Sequence, residues 1–168
     1  MRYFDASALV KRYVREKGSV RVRRLIASDA PATSRLSEIE VASALERRSR
    51  EGAFSPAERD RALAALTIDL RAIVVVELTP HIAAWARTLL QRYPLRAGDA
   101  IQLASCLYLQ EQLAEPIAMV GFDDRLTVAA RLEGVGRTVT SRSKRVVPAR
   151  PVVSHPTRLR AALRRARQ

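Results

Sequence analysis

The stretch Arg2-Tyr3-Phe4-Asp5-Ala6-Ser7-Ala8-Leu9-Val10 sets the fold class, because a short β-prone run ends at an acid and leads straight into a helix-prone run. Three further strand-like runs lie at 33–36, 72–76 and 117–120, and a weaker one lies at 137–140. Stretches with apolar residues near a 3.6-residue period separate them. This alternation predicts an α/β fold with a mainly parallel sheet of four to five strands, covered by helices on both faces.

Other sequence signals mark the helix starts. The segments Ser37-Glu38-Ile39-Glu40 and Ser55-Pro56-Ala57-Glu58 both match the Ser-x-x-Glu capping box, and Thr79-Pro80 is a further start signal. We expect an apolar helix over 100–113 and a last short helix over 157–167. Helices are thus expected throughout the regions between the strands.

The composition is typical of a soluble globular domain. The chain has 168 residues, of which 48% are hydrophobic and 28% charged, and this length suits one domain with a sizeable core. No apolar run is long enough to span a bilayer, and Asp5 comes too early for a signal peptide. The single cysteine, Cys106, excludes an intramolecular disulfide and a multi-cysteine zinc site. We therefore expect a cytoplasmic protein without a membrane association.

Positive charge is concentrated at the C-terminal end. The formal net charge is +13, and residues 137–168 contain ten of the 30 Lys and Arg residues but no acid. We therefore expect a globular domain over 1–140 and a basic extension over 141–168, either partly disordered or carrying a short helix. Such an extension favours a nucleic-acid partner, because each phosphate that it neutralises releases counterions. A solvated tail without a partner is the alternative.

Four acids lie where strands end or helices begin: Asp5, Glu40, Asp99 and Asp123. Asp5 follows the first strand, Glu40 lies near the start of the helix after the second, and Asp123 follows the fourth. Asp99 opens the apolar helix. Because strand carboxyl ends and the following helix starts share one edge of a parallel sheet, we expect these carboxylates to meet there.

Helix capping is the competing explanation for each acid taken alone. Asp99 and Asp123 are suitable N-caps, and Glu40 is the third residue of a capping box whose side chain would reach back to Ser37. Clustered carboxylates, however, repel one another unless a cation lies among them. Without a His or Cys ligand set, that ion would be Mg²⁺, with Mn²⁺ as a substitute, and the site would suit phosphodiester hydrolysis. Asp5 and Asp99 would then be the principal ligands, with Glu40 and Asp123 binding directly or through water.

Four ordered blocks resemble the PIN-domain family, and most closely its VapC-type toxin ribonucleases of type II toxin–antitoxin systems. The blocks are Tyr3-Phe4-Asp5-Ala6-Ser7-Ala8-Leu9-Val10-Lys11, Ser37-Glu38-Ile39-Glu40-Val41-Ala42-Ser43-Ala44-Leu45, Leu95-Arg96-Ala97-Gly98-Asp99-Ala100-Ile101-Gln102-Leu103-Ala104 and Gly121-Phe122-Asp123-Asp124-Arg125-Leu126. The resemblance extends to about residue 140. It departs at Gly121, where the family often has a hydroxyl residue that could orient the last acid or a water.

The resemblance implies a three-layer α/β/α sandwich, Mg²⁺-dependent endonucleolytic cleavage of RNA, a homodimer and inhibition by a cognate antitoxin. It also implies that Asp5, Glu40, Asp99 and Asp123 are the acidic quartet and that Ser7 supplies a hydroxyl beside the metal. Two alternatives stay open: a PIN-like nuclease of RNA maturation or of single-stranded DNA, and a non-catalytic RNA-binding module.

Two basic residues follow the first acid on the same helical stretch. Lys11 and Arg12 are candidates for contacts with substrate phosphates, and a solvent-facing charged stripe is the alternative explanation for both.

Overall fold

A computed structural model describes residues 1–136 and contains, within that range, a four-stranded parallel sheet. Its strands are β1 (Arg2–Phe4), β2 (Pro31–Ser34), β3 (Val74–Val76) and β4 (Ala118–Val120), in the spatial order β3-β2-β1-β4. The predicted α/β class and parallel sheet are confirmed. The fifth strand predicted at 137–140, the extension over 141–168 and the helix predicted at 157–167 fall beyond residue 136, outside the described residues.

Seven helices surround this sheet in the described part of the chain. They are α1 (Ala6–Leu9), α2 (Ser19–Ser28), α3 (Leu36–Arg50), α4 (Pro56–Leu70), α5 (Pro80–Arg92), α6 (Ala97–Leu113) and α7 (Asp124–Leu132), and a 3-10 turn at Val10–Arg12 follows α1. None of the helices between residues 1 and 136 is long and apolar enough to cross a membrane.

The two larger of three hydrophobic clusters in residues 1–136 lie on opposite sides of the sheet. On one side, Val75 faces residues of α1, α3 and α4, including Leu45 and Leu66. On the other side, Val74 and Val76 face residues of α5, α6 and α7. Each fully buried Leu or Val contributes about 1.5–3 kcal/mol of transfer free energy, so both helical layers are held by apolar burial. The arrangement is the expected three-layer α/β/α sandwich.

Two of the three predicted helix starts are confirmed. The Ser55 hydroxyl accepts a hydrogen bond from the Glu58 N–H while the Glu58 carboxylate accepts one from the Ser55 N–H, which completes the predicted capping box. Thr79 caps α5 through the Ile82 N–H.

The predicted capping box at Ser37 is wrong. The chain becomes helical directly after β2, so α3 begins at Leu36 and Ser37 already lies inside its first turn. Ser37 is fully buried, and its hydroxyl contacts the Thr33 hydroxyl and the Gln102 amide. The Ser37 hydroxyl, which the local sequence pattern assigned to a helix cap, therefore forms hydrogen bonds inside the core instead.

The position of β1 within the sheet determines where a site can form. β1 lies between β2 and β4, and its residues pair with both neighbours. The connections from β1 and to β4 therefore leave the sheet on opposite sides of β1, and such a switch point opens a crevice at the carboxyl ends of the strands. Asp5, directly after β1, lies at this crevice.

Candidate active site

Asp5 lies at the carboxyl end of β1 and is almost completely buried, with only 3% of its surface exposed. Its Oδ1 accepts a hydrogen bond of 2.7 Å from the Ala8 N–H, so Asp5 is also the N-cap of α1. The Ser7 hydroxyl lies 2.8 and 2.9 Å from its two carboxylate oxygens. Burial, together with the charges of Glu40 and Asp99, raises the pKa of Asp5 to about 6, although these hydrogen bonds act to lower it.

Glu40 lies in the second turn of α3 and contacts α6 rather than the start of its own helix. Its Oε2 accepts a hydrogen bond of 2.7 Å from the Gln102 amide. Partial burial raises the pKa of Glu40, and so does the charge of Asp99, while the Gln102 hydrogen bond lowers it. The expected reach of Glu40 back to Ser37 is wrong, because α3 starts before Ser37.

Asp99 is the third residue of α6 and not its N-cap, which is Arg96. Its Oδ2 is buried and has no hydrogen-bond partner, which is costly for a charged oxygen. Burial raises the pKa of Asp99, and the nearby charge of Asp123 raises it further. The capping explanation therefore does not account for Asp99.

Asp123 caps α7, as the capping explanation predicted. Its Oδ1 accepts a hydrogen bond of 3.0 Å from the Leu126 N–H, and this bond lowers the pKa of Asp123. The Arg125 guanidinium lies 3.7 Å from Asp123 Oδ2 and lowers the pKa of both Asp123 and Asp99. Asp123 is thus a cap of α7 and a neighbour of Asp99 at the same time.

The structure places the four predicted acids near enough to one another for their charges to act in pairs. The charges of Glu40 and Asp99 act on Asp5, that of Asp99 acts on Glu40, and that of Asp123 acts on Asp99. Within residues 1–136, no three acid, His or Cys side chains form a preformed metal-binding cluster. The donors nevertheless suit a hard cation, because all are carboxylate oxygens and Asp99 Oδ2 is a buried oxygen without a partner.

Two glycines allow the main chain to approach these carboxylates closely. A Cβ at Gly98 would lie 2.5 Å from Glu40 Oε1, and a Cβ at Gly121 would lie 2.8 Å from Asp5 Oδ2. Both distances are shorter than the contacts that Cβ atoms make in real proteins. Gly121, which departs from the hydroxyl residue of the resemblance, therefore has a packing reason: a side chain there would collide with Asp5.

A comparison with protein families identifies the family of this chain. The PIN domain model matches residues 2–132, which includes all four acids. The chain belongs to the PIN domain family. No curated protein matches the chain as a relative. PIN domains are generally nucleases, so this PIN domain is a member of a nuclease superfamily whose substrates are nucleic acids.

The PIN domain holds the two predicted phosphate-binding residues in different places. The Lys11 ammonium donates hydrogen bonds to Glu16 (2.6 Å) and to the Lys17 carbonyl (3.0 Å), and it lies 4.3 Å from the centre of the Phe122 ring, beside the acids. Arg12 forms an ion pair with Asp69 of α4, which raises the pKa of Arg12. Lys11 therefore lies next to Phe122 at the rim of the acidic site, whereas Arg12 points towards α4.

The sequence patterns did not predict a buried hydrogen-bond network that contacts Glu40, one of the four acids of the PIN domain. The Gln102 amide nitrogen donates to Glu40 and to Ser37 Oγ (2.9 Å), and its oxygen accepts from the Tyr3 hydroxyl (2.8 Å). The Thr33 hydroxyl extends the network, 2.7 Å from Ser37 Oγ. The sequence signal was a polar residue at position 102, between the apolar residues Ile101 and Leu103 of α6.

Proposed function

We propose that this PIN domain is a Mg²⁺-dependent endoribonuclease that hydrolyses RNA phosphodiester bonds, as the toxin component of a toxin–antitoxin pair. The observation that carries the proposal is the coupled group of Asp5, Glu40, Asp99 and Asp123, in which Asp99 Oδ2 is buried without a partner. Carboxylates that raise one another's pKa are stabilised by a divalent cation, which makes the group a candidate cation site.

In this proposal Asp5 and Asp99 are the principal metal ligands, and Glu40 and Asp123 bind directly or through water. When bound, Mg²⁺, or Mn²⁺ in its place, lowers the pKa of a water and neutralises charge on the phosphate. The Ser7 hydroxyl orients Asp5, since it contacts both oxygens of that carboxylate. Side-chain rotation is needed to bring the oxygens onto one ion, because they do not form a preformed cluster.

The surrounding residues of the chain have distinct tasks in this proposal. Gln102 fixes the Glu40 carboxylate through its 2.7 Å hydrogen bond, so Glu40 is held in place before the substrate arrives. Arg125, close to Asp123, offers a cation for a substrate phosphate next to the acids. Lys11 remains a candidate for a phosphate contact at the rim of the acidic group, whereas Arg12, paired with Asp69, is a candidate only for a phosphate farther along the RNA.

The choice of RNA and of a toxin role depends on the resemblance to VapC-type toxins together with the basic C-terminal end. On this basis we propose a nuclease domain over 1–140, a basic extension over 141–168 that adds affinity for RNA, a homodimer and a cytoplasmic location. A cognate antitoxin would inhibit the enzyme, and a basic side chain of the antitoxin would be attracted to the acidic group.

The test is sequencing of RNA ends after the purified full-length chain is incubated with total RNA, with and without EDTA. A parallel reaction contains single-stranded DNA. We expect discrete new RNA ends that need Mg²⁺, little DNA cleavage and no activity for Asp99→Asn. Cleavage of DNA alone would favour the DNA nuclease, and RNA binding without cleavage would favour the non-catalytic module.

The chain offers a matched control for the role of Glu40. Glu38 lies two residues earlier on α3 and pairs with Arg35 at 2.7 Å, on the exposed side of the helix. Glu40→Gln is expected to lower cleavage by orders of magnitude, whereas Glu38→Gln is expected to retain wild-type rates. Equal effects of the two substitutions would remove Glu40 from the mechanism.

A further inference from the structure

Phe122 is an aromatic side chain that remains exposed at the rim of the acidic group. It lies in the connection between β4 and α7, where 47% of its surface is exposed. Its neighbours in sequence belong to the site: Gly121 packs against the Asp5 carboxylate, and Asp123 is one of the four acids. Single exposed apolar side chains are common at protein surfaces, and what distinguishes Phe122 is its position beside the acids.

The structure fixes Phe122 from several directions. Its N–H donates a hydrogen bond of 2.9 Å to Ser7 Oγ, the same hydroxyl that contacts Asp5. The Lys11 ammonium lies 4.3 Å from the ring centre, in the range of a cation–π contact. The ring also packs against the main chain at Gly18, where a Cβ would lie 3.1 Å from Cε1 and Cζ.

Lys11 is itself held in place while it supports the ring. Its side chain is mostly buried, and its ammonium donates to Glu16 and to the Lys17 carbonyl. An exposed phenylalanine with such support has little rotational freedom left to lose when a ligand packs on it. Its surface is therefore preorganised for binding.

We propose that Phe122 is a stacking platform for a nucleobase of the single-stranded RNA substrate, next to the phosphate that is cleaved. This inference rests on the proposed nuclease function and adds a residue that binds the substrate. The Lys11 ammonium and the main chain at Gly18 lie against the ring, and these polar surroundings suit a nucleotide better than the apolar face of a protein helix. Lys11 is then a positioning residue for the ring as well as a candidate for phosphate contacts.

Stacking on Phe122 has a defined consequence for specificity. Every base has a π-face, so stacking on an aromatic side chain is tolerant of sequence and adds affinity for unpaired nucleotides. A base within a duplex is already stacked and is not available to the ring. The proposal therefore predicts a preference for single-stranded over double-stranded RNA that depends on Phe122.

The test uses one RNA oligonucleotide of defined, unstructured sequence and the full-length protein. Steady-state cleavage with Mg²⁺ gives kcat and KM, and titration of the same RNA in EDTA gives Kd without cleavage. Phe122→Ala and Phe122→Leu are expected to raise KM and Kd about fivefold to twentyfold, with kcat within about twofold, because base stacking is lost. Phe122→Tyr keeps an aromatic face and is expected to retain wild-type values.

Leu132→Ala is the matched control, because Leu132 is an apolar residue of α7 with 67% of its surface exposed. It is expected to behave as wild type, and thermal unfolding checks that every variant is folded. Unchanged KM and Kd for Phe122→Ala, or a leucine variant equal to wild type, would overturn the stacking proposal. Failure of the wild type to cleave RNA would overturn the nuclease function instead. In that case the titration in EDTA would still decide whether Phe122 binds RNA. If the wild type did not bind RNA at all, both proposals would be overturned.

Discussion

Replacement of Asp5 by asparagine is expected to remove activity and at the same time to stabilise the metal-free protein. Asp5 is buried, and its pKa rises from an ordinary value of 3.8 to about 6 in the folded state. The difference of about two pH units corresponds to roughly 3 kcal/mol of destabilisation once the carboxylate is ionised. An asparagine of the same shape carries no charge and is free of this penalty.

Part of the gain is offset by weaker hydrogen bonds. The asparagine oxygen can still accept from the Ala8 N–H, but the Ser7 hydroxyl loses a charged acceptor, at a cost of about 1 kcal/mol. The net expectation is that Asp5→Asn raises the free energy of unfolding by about 2 kcal/mol at pH 7.5. Wild-type stability should rise as the pH falls from 7 through 6 towards 4, because the folded state binds a proton at Asp5 before the unfolded state does.

Urea unfolding in EDTA at pH 7.5, 6 and 5 measures both effects. The stability difference between Asp5→Asn and wild type should be largest at pH 7.5 and shrink at pH 5. Asp60→Asn is the control, because Asp60 is an exposed acid whose pair with Arg59 lies at the surface, and it should change stability by less than about 0.5 kcal/mol. A mutant less stable than wild type at pH 7.5, or a difference independent of pH, would refute the argument. Adding MgCl₂ should then stabilise the wild type but not the mutant.

Three further changes test other parts of the site. Gln102→Leu removes the hydrogen-bond partner of the Glu40 carboxylate and of the Tyr3 hydroxyl. It should therefore lower the free energy of unfolding by about 1–3 kcal/mol and reduce kcat. Wild-type stability of this variant in calorimetry would contradict the importance of the hydrogen-bond network. Gly121→Ser should reduce both RNA cleavage and stability, because its Cβ would meet the Asp5 carboxylate, and a fully active serine variant would show that this approach is relaxed easily. Deletion of 141–168 should weaken RNA binding and flatten its salt dependence without abolishing cleavage, as filter binding at several salt concentrations can measure; an unchanged slope would exclude the tail from binding.

The parts of the fold that the sequence predicted depend on local patterns. The strands, the cap at Ser55 and the positions of the four acids all follow from periodicity and from residue preferences within a few positions. Local patterns also predict where each strand ends. Because the strands are parallel, their carboxyl ends lie at one edge of the sheet. For this reason Asp5 and Asp123 could be assigned to a common site before the structure was known.

The failure at Ser37 has a physical cause in contact between residues far apart in sequence, and that at Asp99 comes from a misplaced helix start. Ser37 matched a capping box, but the Gln102 amide, 65 positions later, occupies its hydroxyl inside the core. Asp99 looked like a cap because α6 was expected to start at 100, whereas it starts at Ala97. The contacts of Phe122 with Ser7 and of Gln102 with Glu40 also join residues far apart in sequence, so a window of local sequence does not show them.

The central position of β1 has a consequence for synthesis of the chain. β1 is made before the other three described strands but completes its pairing only with β4, and the acidic group likewise includes Asp123 from the segment after β4. A nascent chain that ends before this point has an open sheet and an incomplete set of carboxylates. Neither the sheet nor the set of four carboxylates is therefore complete until the segment that follows β4 has been made.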